Sequence, residues 1–193
     1  MKKLSVLAIA LAAAVASPAL AGTTVFTGDT TGGPVYNRPI DNGNSPPVNL
    51  SGVGTAVRYT VTPFTVSISG NYNFLNTTGY DSYLGIHAGS FNPTNGLLNA
   101  IAYSDDFNGT LDGGFSNLAL LAGVSYFAIN TGFDNTDFGA YRLTIDGPGN
   151  IIGGGGGGPG VPEPATWAMM IFGFAGIGAA LRRRRAAGTF VTA

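Results

Sequence analysis

Cysteine is absent from the 193 residues, which removes disulfides, thiolate nucleophiles and thiolate-ligated zinc together. There is one histidine, His87, and one glutamate, Glu163. A Ser-His-Asp arrangement would therefore need His87 as its base, and no Gly-x-Ser-x-Gly turn accompanies it. Charge is scarce as well: charged residues make up 10% of the chain, against roughly 25% in an ordinary soluble domain. The length leaves room for one modest domain plus signals, so a multidomain enzyme is excluded. Aspartates are numerous enough for a paired-carboxylate glycosidase, but a domain this small leaves little space for a deep cleft. The expectation is a protein that is not an enzyme.

What charge there is lies unevenly. Lys2 and Lys3 stand at the start and Arg182, Arg183, Arg184 and Arg185 near the end, with only Arg38, Arg58 and Arg142 between them. From Gly22 to Gly160 these three face nine aspartates, a balance of −6. A surface of that sign cannot neutralise phosphates, so nucleic acid is excluded as a partner and cations are favoured. The 31 glycines and 11 prolines suit turns and strands rather than exposed helices.

Both ends read as addresses. Met1 to Ala21 has a cationic start, an apolar run from Leu4 to Ala16, and then Ser17-Pro18-Ala19-Leu20-Ala21. That is the pattern of a secretory signal helix, with the small residues Ala19 and Ala21 placing signal-peptidase cleavage before Gly22. At the other end, Gly153 to Gly158 are six consecutive glycines, and a Gly-rich linker is expected over residues 150–161. Thr166 to Leu181 follow without a charge, about 24 Å of helix at 1.5 Å per residue. Trp167 suits one headgroup interface and the arginine stems can snorkel at the other, so one C-terminal transmembrane helix is expected over 166–181. The arginines resist translocation, which places them and a tail over 186–193 in the cytoplasm and residues 22–164 outside it.

Val161-Pro162-Glu163-Pro164-Ala165-Thr166-Trp167-Ala168-Met169-Met170-Ile171, an apolar Gly/Phe-rich run, and then Arg182 to Arg185 together resemble the PEP-CTERM sorting signal, in particular its proteobacterial Trp-Ala-Met-Met subclass. The resemblance implies recognition by an exosortase, a membrane cysteine transpeptidase, with cleavage near Pro162, Glu163 and Pro164. It also implies delivery to the cell surface or to an exopolysaccharide matrix. Within it, Pro162 to Pro164 are the expected recognition element, and Arg182, Arg183, Arg184 and Arg185 the expected arrest signal. A structural or adhesive role in biofilm follows as the expected function.

Between Gly22 and Gly149, period-two alternation replaces helical periodicity. Phe64, Val66 and Ile68 alternate with polar neighbours, as do Leu84, Ile86 and Ala88, and Tyr141, Leu143 and Ile145. Further runs lie at Thr24–Thr27, Ala56–Thr62, Asn99–Tyr103, Ser116–Leu121 and Ser125–Asn130. About eight short strands without crossover helices predict an all-β fold, an antiparallel β-sandwich with jelly-roll connections, preceded by a partly ordered lead-in over 22–47. His87 falls on the polar-facing side of its strand, which predicts a surface or cross-strand contact. Tyr59, Tyr72, Tyr80, Tyr83, Tyr103, Phe107 and Phe115 are readable either as core residues or as a surface on which sugar rings stack.

Tyr80-Asp81-Ser82-Tyr83-Leu84-Gly85-Ile86-His87-Ala88-Gly89, Leu98 to Asp106, Leu121 to Phe133, and Phe138 to Ile145 resemble the bacterial pre-peptidase C-terminal domain. That implies a β-sandwich of the kind appended to secreted proteases, assisting binding or secretion and sometimes holding calcium. The expectation here is a module that stands alone, without a protease domain before it. Independently of the resemblance, Asp81, Asp105, Asp106, Asp112, Asp134 and Asp137 fall in expected loops, and hard carboxylate oxygens are what calcium requires. Asp105, Asp106 and Asp112 form the best local ligand set, although their spacing matches no EF-hand loop. Turn formation by the same residues is the competing reading. A calcium-dependent module for a glycan or a protein is thus the alternative function.

Overall fold

The computed structural model describes residues 21–153, so the expected signal helix up to Leu20, the sorting signal over 162–185 with its 166–181 span, and the 186–193 tail lie outside the described residues. Ten strands follow in chain order: β1 (Gly22–Asp29), β2 (Val35–Tyr36), β3 (Val57–Val66), β4 (Gly70–Thr78), β5 (Ser82–Ala88), β6 (Ala100–Ser104), β7 (Gly113–Leu120), β8 (Tyr126–Gly132), β9 (Ala140–Gly147) and β10 (Ile151–Gly153). A single 3-10 turn, Phe107–Gly109, joins β6 to β7. The expected count of about eight corresponds to the eight longer strands, with β2 and β10 as short additions.

One sheet has the order β1-β9-β4-β7 and the other β10-β3-β8-β5-β6, with β2 also on β3. Every pairing is antiparallel. The pairs β1 with β9, β3 with β8, β4 with β7 and β5 with β6 are nested, the first long strand with the last and so inwards to a central hairpin. This nesting is the jelly-roll arrangement expected from the sequence. Inner faces of the two sheets meet in a core of Phe64, Val66, Tyr72, Phe74, Leu84, Ile86, Phe115, Leu118, Leu120, Leu143 and Ile145, among others. Alternation sets which residues these are. In β9 the burial runs exposed, buried, exposed, buried from Ala140 to Leu143, as the Tyr141, Leu143, Ile145 pattern requires.

Three local features differ from the sequence expectations. The runs 56–62 and 64–69 merge into one strand, β3, which is continuous through Pro63 and ends at Val66, short of Ile68. Pro63 is opposite Phe127 of β8; on its other side β2 reaches only to Arg58 and β10 begins at Phe64. The missing N–H therefore falls in a gap in the ladder, where it costs nothing. The strand β4 was not anticipated, because asparagines are poor strand formers and, past Phe74, the apolar pattern inverts, with Leu75 exposed and Asn76 buried. The expected lead-in begins with a full strand, since β1 pairs along all eight residues with β9, and the expected linker begins with β10.

The larger departure concerns the outer face of the β3-β8-β5-β6 sheet. Strand β5 is buried from Ser82 to His87 without alternation, because segments before β3 and between β5 and β6 fold back across it. Tyr36, Val57, Tyr59 and Ile129 form a second apolar cluster with Phe91 and Phe127; Tyr83, Ala100 and Tyr103 form a third with Phe133. His87 lies in this layer and is fully buried, so of the expected surface or cross-strand positions it takes the cross-strand one, against Tyr103 of β6. Its ring meets Phe91 edge-on at 4.9 Å, and its nitrogens reach the Leu98 carbonyl (3.0 Å) and the Tyr103 hydroxyl (2.8 Å).

Candidate functional site

Antiparallel pairing of β5 with β6 places Leu84 opposite Ser104. The residue ahead of β5, Asp81, therefore meets the two that follow β6, Asp105 and Asp106. One carboxylate oxygen from each lies within 4.8 Å of the others. Asp112 does not join them. Its Oδ1 accepts the Thr78 backbone N–H at 3.1 Å, so this member of the expected Asp105, Asp106, Asp112 set fixes the start of β7 against the end of β4. Asp41, from the segment before β3, approaches instead: its Oδ2 accepts the Asp105 N–H at 3.2 Å.

Beneath the cluster lies Arg38, 2% exposed. Its guanidinium sits 3.7 Å from the Tyr83 ring centroid and 5.0 Å from that of Phe133. Nε and Nη2 both donate to the Phe133 carbonyl, at 2.9 and 2.6 Å, and Nη1 donates to the Pro39 carbonyl at 3.1 Å. The Phe133 N–H in turn donates to the Asp81 carbonyl. The cation is thus spent on carbonyls and aromatic faces, and the carboxylates feel it only at longer range.

Two of the carboxylates are accordingly harder to ionise than a free aspartate. Burial, then the negative charges of Asp106 and Asp81, push Asp105 up to about 7, against the opposing pull of Arg38. Burial and the charges of Asp137 and Asp106 likewise raise Asp81. Asp81 Oδ1 and Asp105 Oδ1 are both buried and lack a hydrogen-bond partner. Two desolvated oxygens and a third carboxylate within reach form a set of hard donors to which a divalent cation would be matched. Neither Arg38 nor Asp41 was identifiable as part of this cluster from the sequence; both lie more than 35 residues before Asp81 and carry no motif.

The remaining sequence candidates divide by position. Ala19 lies outside the described residues; Ala21 is exposed and Gly22 opens β1, opposite Gly147. Pro162, Glu163, Pro164, Trp167 and Arg182 to Arg185 all lie outside them. Among the described residues no helix is long and apolar enough to cross a membrane. Of the seven aromatic candidates, Tyr59, Tyr72, Tyr83, Tyr103 and Phe115 are buried, while Tyr80 and Phe107 are half-buried.

No curated protein matches the sequence. Residues 160–185 match the family model described as the PEP-CTERM protein-sorting motif, the same stretch whose Pro-Glu-Pro, apolar run and arginines stand in that order in the sequence. The chain is therefore an exported protein of the cell envelope or surface that carries a PEP-CTERM sorting motif and is sorted by an exosortase.

Proposed function

We propose that the protein is a non-catalytic component of the cell surface or extracellular matrix, delivered as a jelly-roll domain on a sorting tail and serving a structural or adhesive role among exopolysaccharides. The observation that carries this reading is the sorting motif at 160–185, which follows a β-sandwich ending at Gly153. In this account signal peptidase cleaves before Gly22, the 166–181 segment holds the intermediate in the inner membrane, and Arg182 to Arg185 stay in the cytoplasm. Exosortase then acts near Pro162 to Pro164. The likeness of the segments between Tyr80 and Ile145 to pre-peptidase C-terminal domains supports a binding or secretion-assisting module over a catalytic one. So does His87, which is buried with both ring nitrogens engaged and is unsuited to act as a general base.

The test is fractionation of the tagged full chain in a host with and without its exosortase. The expected result is a shortened form in the surface or matrix fraction with the enzyme, and an unshortened, membrane-associated form without it or with Glu163→Ala. Recovery of intact chain from the cytosol in both hosts would overturn the reading.

A second reading is favoured by the orphaned oxygens of Asp81 and Asp105: a cation, by charge and oxygen chemistry calcium, held by Asp81, Asp105 and Asp106 and bracing the β5-β6 end of the sandwich. Calorimetric titration with calcium, then with chelator, tests it. Heat of binding accompanied by a rise in melting temperature supports the reading; no heat and no shift removes it.

A further inference from the structure

On the β1-β9-β4-β7 sheet, the face turned away from the core carries Asn73 and Leu75 of β4 opposite Asp146 and Thr144 of β9. Leu75 is also opposite Gly114 of β7. A Cβ at Gly114 would lie 2.9 Å from the Phe107 ring; lacking one, Gly114 lets that ring rest on the sheet beside Leu75. The result is a recess of about 290 Å³ lined by Phe107, Leu75, Asn73, Asp146, Asn108 and Ser116, among others. It lies apart from the Asp81, Asp105 and Asp106 cluster, whose residues do not line it.

The polar groups of this recess are held in place. Asn73 Nδ2 donates to Asp146 Oδ2 at 2.8 Å, and Asn73 Oδ1 accepts the Asn117 N–H at 2.9 Å. Each side chain retains capacity, one N–H on Asn73 and one oxygen on Asp146. The aromatic wall is fixed too: the Phe107 N–H donates to the Asp112 carbonyl, and the Phe107 carbonyl accepts from the Thr110 hydroxyl at 2.8 Å. Asn108 has φ 57°, a left-handed conformation that asparagine tolerates.

An apolar ring wall beside a carboxylate and two amides is complementary to a molecule with a C–H face and a rim of vicinal hydroxyls. No lysine or arginine lines the recess, and its only charge is the carboxylate, which disfavours phosphates and uronates by like-charge repulsion. A wholly apolar occupant would desolvate the free N–H of Asn73 and the free oxygen of Asp146 without replacing their water. We propose that this face is a cation-independent subsite for a neutral polysaccharide, with a sugar ring lying against Phe107 and Leu75 and its hydroxyls bonded to Asp146, Asn73 and Asn108. The proposal names a partner for the surface or matrix role inferred above, and rests on that reading only for where the glycan would be met.

The test is affinity electrophoresis of the full chain, in a detergent without a sugar headgroup, through gels containing dextran, mixed-linkage β-glucan or galactomannan, with polygalacturonate as the acidic control. Retardation is expected with at least one neutral polymer and is expected to persist in EDTA. Phe107→Ala and Asp146→Ala should each weaken it about tenfold or more, while Phe107→Trp should retain it. Asp146 is at the surface, so Asp146→Ala decides the matter if Phe107→Ala is unfolded. No retardation by any of the three neutral polymers, retardation by polygalacturonate alone, loss in EDTA, or retention in both alanine variants would each overturn the proposal. A protein partner at this face would give the first of these results. Failure of the sorting reading appears separately, in the fractionation, and leaves the gels unchanged.

Discussion

The Tyr103 hydroxyl is the donor in its 2.8 Å bond to His87 Nε2. The Leu98 carbonyl at Nδ1 can only accept, so Nδ1 carries the proton and Nε2 is left bare. Burial of the neutral ring holds the His87 pKa down to about 4, against 6.5 for the free side chain. The unfolded chain therefore takes up a proton as pH falls below about 6.5 while the folded chain does not until about 4. Stability conferred by the neutral histidine should be intact above the unfolded value and fall across that window, by about 3 kcal/mol in total. Denaturant unfolding at pH values spanning the window measures it, and His87→Gln should flatten this part of the profile.

Removing the Tyr103 hydroxyl should expose the same dependence from the other side. Tyr103→Phe keeps the ring but leaves Nε2 without a donor and Tyr36, 3.3 Å away, without its partner. A loss of about 1–3 kcal/mol is expected from the orphaned groups, read as a lower denaturation midpoint with an unchanged slope.

Asp105 works in the opposite direction. Its folded pKa is raised, so the folded state binds the proton more tightly than the unfolded state, and its contribution declines as pH rises from about 3.8 to about 7. In metal-free buffer at neutral pH, Asp105→Asn should therefore raise the melting temperature, because it removes a desolvated charge set among others of its sign. If calcium binds the cluster, the same substitution should abolish the stabilisation that calcium gives the parent protein. Scanning calorimetry of both forms, with calcium and with chelator, reads both effects.

Arg38→Met tests what the buried guanidinium does. The substitution retains much of the apolar stem but removes the donors to Phe133 and Pro39. A loss of about 3 kcal/mol is expected, since carbonyls that lose a charged donor stay buried. Arg38→Lys should recover only part of it, because an ammonium cannot bridge both carbonyls while lying flat on Tyr83.

Gly85 of β5 faces the Tyr103 ring, and a Cβ there would overlap the ring carbons. Gly85→Ala should destabilise by about 1–3 kcal/mol through overpacking. The effect should shrink in the Tyr103→Leu background, and a double-mutant cycle measures that coupling.

Strands such as β5 and β9 were legible because their apolar residues recur at every second position, and the jelly-roll followed from the lack of any helical segment between them. What the sequence could not reveal was anything that depends on distant segments meeting. His87 looked exposed because one side of β5 reads Tyr83, Gly85, His87; only the fold-back of Tyr36 and Phe91 buries that side. Asp112 looked like a ligand because it is near Asp106 in sequence, yet its carboxylate turns to Thr78. Asp81 precedes Asp105 by 24 residues and joins it through the β5-β6 register. The Phe107 recess was hidden for a related reason: the signal is the absence of a side chain at Gly114, and a glycine in a strand does not announce what will rest on it. The sorting tail needed no tertiary partner, and its three parts could be read in order.

The first and last strands of the sandwich run side by side. The Thr24 hydroxyl donates to the Ile151 carbonyl at 3.3 Å, and a Cβ on Gly22 would lie 2.6 Å from the Gly149 oxygen. Gly153 lies against Phe26, so entrance at Gly22 and exit at Gly153 are offset by about four strand residues, roughly 13 Å, a gap that a short linker spans when such a domain is spliced into a host loop.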